Sequence, residues 1–155
     1  MVDEGSGAAV SRLMAGKRGL VMGVANDHSI AWGIAKACAE QGAEIAFTYQ
    51  GEALQKRIFP LAESVGSTLV LPCDVTDAAS MDAVFSHLEK EWGKIDFFVH
   101  AIAYSNKDEL DGRYVDTSLE NFTATMAISC YSFAALSQRA EKLMTDGGSI
   151  VTLTY

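Results

Sequence analysis

The sequence predicts an α/β fold of the Rossmann type, a doubly wound parallel sheet with strand order 3-2-1-4-5. Five short runs rich in β-branched and aromatic residues alternate with stretches of helical character, which is the pattern of a parallel sheet covered by helices. These runs are almost continuously apolar, as expected for strands that are buried on both faces. The first run leads through a glycine-containing turn directly into a helix.

The elements follow in a regular order along the chain. Strands are predicted over residues 18–22, 44–49, 68–73, 95–100 and 149–155, and helices over 29–41, 52–65, 78–92 and 118–144. Pro60 lies in the second helix and is expected to kink or split it, because proline lacks the amide donor and clashes with the preceding turn. Thr117 and Glu120 have the spacing of a capping box at the start of the last helix.

Composition narrows the possible partners. The net charge is −8, from 12 basic and 20 acidic residues, which argues against nucleic acid or an anionic membrane as the main partner. No apolar run approaches the roughly 20 residues of a membrane-spanning helix. The three cysteines lie in apolar runs without metal-ligand spacing, so we expect reduced thiols, no metal site and a cytoplasmic protein.

The turn after the first strand, residues 23–33, favours phosphate binding. Gly23 permits a sharp turn without a Cβ penalty, and Ser29 can cap the following helix or donate its hydroxyl to a phosphate oxygen. Gly33 is expected to let the helix approach the sheet closely. The middle glycine of the usual G-x-G-x-x-G fingerprint is absent, so a different α/β protein with a glycine turn remains an alternative at this point.

These features divide the chain into two parts. Residues 1–14 are predicted to be a flexible extension, because they are small and partly acidic. Residues 15–155 are assigned to one dinucleotide-binding domain, with its ligand crevice at the carboxyl ends of strands 1 and 4. Folds of this type normally continue with a sixth strand, so we expect the sequence to be the front part of a longer domain, truncated after strand 5.

Further positions then combine into a more specific pattern. The turn follows G-x5-S-x-A, and distinctive segments recur at the strand ends, in the loop and on the long helix: Thr48-Tyr49-Gln50, Cys73-Asp74-Val75, His100-Ala101-Ile102-Ala103, Asp111-Gly112-Arg113-Tyr114 and Ile128-Ser129-Cys130-Tyr131-Ser132-Phe133. Together they resemble the bacterial enoyl-acyl-carrier-protein reductases, in the divergent branch of the short-chain dehydrogenase/reductases.

The resemblance implies a role for each of the matching residues. The pyrophosphate would be held by Gly23, Ser29 and Ile30, and the adenosine by Gln50, Asp74 and Val75. The nicotinamide side would be held by Ala101, Ile102, Ala103 and Ile128. Tyr104 and Ser105 would face the acyl group, and Tyr155 would be an active-site tyrosine. Plainer roles stay open: Asp74 as a strand-end cap, Val75 and Ile102 as core residues, and Tyr155 as a packed aromatic. The family often has Ser-Ile-Gly in place of Ala101-Ile102-Ala103, so a slightly narrower acyl pocket is expected.

The implied activity is NADH-dependent reduction of a trans-2-enoyl thioester on acyl carrier protein, in fatty acid biosynthesis. In the family a Tyr-x6-Lys pair, located shortly beyond residue 155, supplies the proton donor. NADH is expected rather than NADPH, because Gln50-Gly51-Glu52 offers a 2′-phosphate no base and one acid. The apolar helix at 118–144 is expected to pair between subunits of a homotetramer, or else to be buried within one monomer. Another short-chain reductase and a non-catalytic nucleotide-binding fragment remain alternatives.

Overall fold

The computed structural model describes residues 12–154, and these residues form a parallel sheet between two layers of helices. The strands are β1 (Arg18–Met22), β2 (Glu44–Tyr49), β3 (Leu69–Pro72), β4 (Phe97–His100) and β5 (Ser149–Thr152), in the order β3-β2-β1-β4-β5. The helices are α1 (Ile30–Glu40), α2 (Gly51–Ser64), α3 (Ala78–Trp92), α4 (Leu119–Met126) and α5 (Ser132–Leu143). The predicted fold class and strand order are confirmed.

Successive residues of β1 enter the two separate hydrophobic cores. Leu20 and Met22 pack with α3 and α5 on one face, while Val21 packs with α1 and α2 on the other. All three side chains are buried, because successive Cβ atoms of a strand point to opposite faces. The covered faces explain why the strands are apolar throughout rather than in alternation.

The register of the central strands brings the ends of β1 and β4 together. Met22 pairs with His100, so the residues that follow them, Gly23 and Ala101, are neighbours at the carboxyl edge of the sheet. A Cβ on Gly23 would lie 1.9 Å from the Ala101 carbonyl oxygen, and the φ of Gly23 is +100°. Only glycine fits this position, for both steric and conformational reasons.

Gly33 does not have the predicted packing role. It lies in α1, but a Cβ there would have no neighbour within 4 Å, so the expectation of a close helix–strand approach at Gly33 is wrong. The close approach in the sheet lies instead at Gly19, where a Cβ would be 2.1 Å from the ring of Phe97. The packing of β1 against β4 therefore requires a residue without a side chain at position 19, whereas the packing of α1 on the sheet does not require one at position 33.

The second helix is continuous from Gly51 to Ser64 with Pro60 inside it, so the predicted split is wrong. Pro60 is exposed, and water can therefore hydrate the carbonyl that the missing amide would have paired with. The long helix predicted over 118–144 consists of α4, one π-helical turn (Ala127–Tyr131) and α5.

The N-cap of α4 is one residue later than predicted. Ser118, rather than Thr117, accepts a hydrogen bond from the amide of Asn121 at 3.1 Å. The carboxylate partner is also different: Glu109, rather than Glu120, accepts from the backbone amide of Ser118 at 2.9 Å. A capping interaction is therefore present, but its acidic residue comes from a 3₁₀ turn in the preceding loop (Lys107–Glu109).

The contacts of the domain begin on the N-terminal side of the predicted boundary. Residues 1–11 of the predicted extension lie outside the described residues. The amide of Met14 donates to the carbonyl of Gln41 at 3.0 Å, and Met14 packs against the core on the α1 side. The segment just before β1 is thus attached to the end of α1.

Candidate functional site

A cleft of about 470 Å³ opens at the carboxyl edge of the sheet, above β1 and β4. Its walls come from five segments: Met22, Gly23, Val24 and Ala25 after β1; Thr48, Tyr49, Gln50 and Leu54 around the end of β2; Cys73 and Val75 after β3; Ala101, Ile102, Ala103 and Tyr104 after β4; and Ile128 in the π-helical turn. This is the place where the strand order reverses, which is where open α/β sheets bind ligands.

The cleft brings together most of the residues that the sequence predicted. Seven of the ten proposed cofactor residues line it (Gly23, Gln50, Val75, Ala101, Ile102, Ala103 and Ile128), and so does the proposed substrate residue Tyr104. Ser29, Ile30, Asp74 and Ser105 lie outside the lining, and Tyr155 lies outside the described residues. Sequence reasoning did not assign the lining residues Met22, Val24, Ala25, Thr48, Tyr49, Leu54 and Cys73, although Thr48, Tyr49 and Cys73 belong to the strand-end segments that carry the resemblance.

The turn between β1 and α1 is held by its own short polar side chains. Asn26 Oδ1 accepts from the amide of His28 at 2.9 Å, and the Ser29 hydroxyl donates to the carbonyl of Asn26 at 2.5 Å. Ser29 occupies the N-cap of α1 without capping it through its side chain, so its predicted capping interaction is not made. The first turn of α1 has no acidic residue, and the amides at a helix N-terminus attract anions.

Asp74 stabilises the turn that follows β3. Its Oδ1 accepts from the backbone amide of Thr76 at 2.8 Å and from the Thr76 hydroxyl at 2.7 Å. Hydrogen bonds from the Thr76 side chain and backbone, with a smaller contribution from Gln50, lower the pKa of Asp74. The carboxylate is therefore ionised at neutral pH, and its immediate contacts are those of the strand-end cap that the sequence left open.

Cys73 and Thr48 form part of the buried wall of the cleft. Burial, helped by the nearby charge of Asp74, raises the pKa of the Cys73 thiol to about 11. The thiol stays protonated at neutral pH, and since the thiolate is the nucleophilic form, Cys73 serves as a small apolar residue here.

The segment after β4 is hydrogen-bonded to the π-helical turn and to α4. The Ser129 hydroxyl accepts from the amide of Tyr104 at 3.0 Å and donates to the carbonyl of the same residue at 3.1 Å. Ser105 does not face the cleft. Its hydroxyl instead forms a polar cluster with Asn121 and Thr125, with oxygen–nitrogen and oxygen–oxygen distances of 3.2 and 3.1 Å.

A second, smaller hollow of about 240 Å³ lies between α3 and α5. It is lined by both acidic and basic side chains, including Asp82, Glu89, Arg139 and Lys142, and Arg139 is already paired with Asp82 at 2.7 Å. No strand end reaches it. The cleft above β1 and β4 is the candidate site, because the strand ends and the glycine turn converge there.

Within residues 12–154, no three His, Cys, Asp or Glu side chains are grouped closely enough to hold a metal ion. None of the helices in the same range has the length and apolar character that crossing a membrane requires.

Comparison with known proteins agrees with the geometry. Residues 23–155 match the family described as enoyl-(acyl carrier protein) reductase. The "Enoyl-[acyl-carrier-protein] reductase [NADH] 1" of Rhizobium meliloti is 66% identical over 148 residues, which are 96% of this chain and 54% of that protein.

Two solved structures have the same fold over the same region. The enoyl-(acyl-carrier-protein) reductase of Anaplasma phagocytophilum, in complex with NAD, has a TM-score of 0.89 at 60% identity, covering 92% of this chain and 54% of that one. The Bacillus cereus enoyl-acyl carrier protein reductase, with NADP+ and indole naphthyridinone, has a TM-score of 0.89 at 46% identity, covering 92% and 56%. The chain spans about half the length of the relatives it matches.

Proposed function

The chain belongs to the enoyl-(acyl carrier protein) reductase family, and we propose that it forms the dinucleotide-binding part of an NADH-dependent enoyl-acyl-carrier-protein reductase. The reaction proposed for the whole protein is reduction of the double bond of a trans-2-enoyl thioester on acyl carrier protein, in fatty acid biosynthesis. The observation that carries the proposal is the cleft at the junction of β1 and β4, where the glycine turn that leads into α1 meets an apolar wall.

The residues of the cleft suit a dinucleotide from one end to the other. Gln50 and the Asp74 turn provide polar groups near β2 and β3, as adenosine requires. The tight turn at Gly23 and the N-terminus of α1 suit a pyrophosphate. The small and apolar side chains of Ala101, Ile102, Ala103 and Ile128 provide the flat surface that a nicotinamide ring needs.

Individual roles follow from this arrangement. Gly23, Ser29 and Ile30 are proposed to hold the pyrophosphate. Both the amide and the hydroxyl of Ser29 bond to the Asn26 carbonyl in this structure, so Ser29 would exchange that carbonyl for a phosphate oxygen on binding. Gln50, Asp74 and Val75 would bind the adenosine. When bound, the nicotinamide supplies the hydride. The surrounding apolar wall excludes water from it, which strengthens every electrostatic interaction within the site.

The preference for NADH is proposed from the residues that follow β2. Gln50 is neutral, and Glu52 lies in the first turn of α2, so the 2′-phosphate of NADPH would meet an acid and no adjacent base. The complex of the Bacillus cereus relative with NADP+ makes this preference worth measuring directly. Equal or tighter binding of NADPH in a titration would contradict it.

The substrate and partners of the whole protein are proposed in the same way. Tyr104 is half-exposed at the rim of the cleft and is proposed to face the acyl chain, with Ser105 acting behind it through Asn121. Tyr155 is proposed as an active-site tyrosine. The partly exposed Phe122 and Met126 on α4 support pairing between subunits of a homotetramer, and the protein is proposed to work in the cytoplasm.

Binding and turnover can be tested separately. The purified chain should bind NADH with a measurable thermal shift, because a ligand that binds only the native state stabilises it. We expect no oxidation of NADH with crotonyl thioester, since the family's Tyr-x6-Lys pair is expected beyond residue 155. Tyr49 and Lys56 share this spacing but lie at the end of β2 and in α2. The protein extended through that pair should oxidise NADH with crotonyl thioester but not with acetoacetyl thioester. Turnover of the ketoacyl substrate instead would favour the alternative reductase class.

A further inference from the structure

The part of the cleft formed after β4 is held at both ends by one turn of helix. We call residues 101–104 the β4 exit segment; all four line the cleft. The π-helical turn, Ala127–Tyr131, faces it and contributes the lining residue Ile128. Two serines hydrogen-bond on either side of the exit segment: Ser129, in this turn, bonds to its last residue, Tyr104, and Ser132, directly after the turn, bonds to His100, the residue just before it.

The far end is fixed by Ser129. Its hydroxyl accepts from the Tyr104 amide at 3.0 Å and donates to the Tyr104 carbonyl at 3.1 Å. Both backbone groups of one residue are thus satisfied by a single hydroxyl that lies 25 positions further along the chain. Such a contact restricts both φ and ψ of Tyr104, which a single hydrogen bond does not.

The near end is fixed through the buried side chain of His100. Its Nε2 lies 2.8 Å from the Ser132 hydroxyl, and its Nδ1 lies 3.1 Å from the hydroxyl of Thr152 on β5. The Ser132 hydroxyl donates its hydrogen to the Ile128 carbonyl at 2.6 Å, so it can only accept from His100. The imidazole therefore carries its hydrogen on Nε2, and Nδ1 accepts from Thr152.

The π-helical turn is what makes the second contact possible. The amide of Ser132 bonds to the carbonyl of Ala127, five residues earlier, instead of to Ile128. The Ile128 carbonyl is thereby left for the Ser132 hydroxyl. One irregular turn thus places a wall residue of the cleft and both serine hydroxyls against the same segment, and π-helical turns of this kind are frequent at functional sites.

We propose that Ser129 and Ser132 are positioning residues that hold the β4 exit segment against Ile128, so that the nicotinamide half of the dinucleotide meets a preformed wall. The inference rests on the proposed function, because it concerns the same cleft. Neither hydroxyl lines the cleft, so Ser129 acts through the backbone of Tyr104, and Ser132 acts through the His100 side chain and the Ile128 carbonyl. The adenosine half, bound by residues after β2 and β3, is independent of this arrangement.

The expected effect is a loss of preorganisation. Without the Ser129 hydroxyl the amide and carbonyl of Tyr104 are free to bond to water, and the exit segment samples further conformations. The apparent dissociation constant rises as the reciprocal of the fraction that remains competent to bind, so a competent fraction of about a third to a tenth weakens NADH roughly three- to tenfold.

The test compares two ligands on three variants of the chain by isothermal titration. ADP-ribose has the adenosine, the two phosphates and the second ribose of NADH but no nicotinamide. Ser129→Ala should weaken NADH about three- to tenfold and leave ADP-ribose within about twofold. Ser129→Thr keeps a hydroxyl and should restore most of the NADH affinity. The matched control is Ser137→Ala on α5. The buried hydroxyl of Ser137 has no hydrogen-bond partner among the described residues, so its removal should leave the affinity for both ligands unchanged.

Each other outcome decides against the proposal. Unchanged NADH affinity in Ser129→Ala would show that the wall does not depend on this hydroxyl. An equal loss of NADH and ADP-ribose would indicate a general structural role instead. If the unmodified chain bound neither ligand, the proposed function would fail, and this inference with it. If the unmodified chain bound ADP-ribose but not NADH, the nucleotide site would stand, but the preformed wall for the nicotinamide that this inference requires would be contradicted.

Discussion

Replacing Gly23 by alanine gives the sharpest test of how the cleft is built. The new Cβ would lie 1.9 Å from the Ala101 carbonyl oxygen and 2.5 Å from its carbon, so the backbone of either β1 or β4 must move. A φ of +100° adds about 1–3 kcal/mol of strain for a residue with a side chain. Relief of the overlap costs about another 1–3 kcal/mol, so the free energy of unfolding should fall by roughly 2–6 kcal/mol.

Gly33→Ala is the matched control, because it introduces the same methyl group where a Cβ has no neighbour within 4 Å. Alanine in a helix is favoured over glycine by about 0.5–1 kcal/mol, so this variant should be slightly more stable than the unmodified chain. Urea unfolding followed by circular dichroism measures both changes. A Gly23→Ala variant as stable as the unmodified chain would refute the close approach of β1 and β4. A Gly33→Ala variant destabilised by more than about 1 kcal/mol would restore the helix–strand contact predicted from sequence.

Three further predictions concern titration, thiol reactivity and coenzyme preference. Burial lowers the pKa of His100 from 6.5, so as the pH falls the unfolded chain binds the proton before the folded chain does. His100 therefore contributes no pH dependence of stability above about pH 6.5. Below about pH 6.5 the free energy of unfolding falls by at most about 1.4 kcal/mol per pH unit. His100→Gln should flatten the stability curve below about pH 6.5, and an unchanged slope would contradict the buried neutral imidazole. In the folded chain at pH 8, a maleimide should modify the exposed Cys130 quickly. It should modify Cys73, whose pKa is raised to about 11, only when the chain unfolds. Equal modification rates for the two thiols would show that Cys73 is accessible from the cleft. Gln50→Arg should raise the affinity for NADPH relative to NADH by about tenfold, which corresponds to one charge-assisted hydrogen bond to the 2′-phosphate. An unchanged affinity ratio would show that residue 50 does not lie near the 2′-position of the adenosine ribose.

Local patterns were sufficient to predict the sheet. The boundaries of β1, β2 and α3 agree with the predicted ones to the residue, because each is defined by an apolar run and a neighbouring turn residue. The strand order followed from the strand–helix alternation and the handedness of crossovers. The family resemblance added most of the lining of the cleft, since the strand-end segments that carry it converge at one edge of the sheet.

The failures have a common physical origin in contacts between distant parts of the chain. Thr117 and Glu120 have capping-box spacing, but the backbone amide of the N-cap residue, Ser118, donates to Glu109 in the preceding loop instead of to Glu120. Gly33 has the sequence position of a packing glycine, yet the way α1 lies on the sheet leaves space beside it. The π-helical turn has no periodic signal of its own. It is accompanied by a hydrogen bond from His100 to Ser132, two residues that are 32 positions apart in the chain.

The two halves of the cleft are therefore stabilised by different kinds of interaction. The side toward β2 and β3 is held by turns that close on themselves, since Asp74 bonds to Thr76 two residues later. The side toward the β4 exit segment is held by bonds across 25 and 32 residues, from Tyr104 to Ser129 and from His100 to Ser132. Local turns persist when helices loosen, whereas long-range bonds are lost with them. Partial undocking of α4 and α5 should thus abolish the nicotinamide wall while leaving the adenosine side formed, and the ratio of NADH to ADP-ribose affinity reports the docking of these helices.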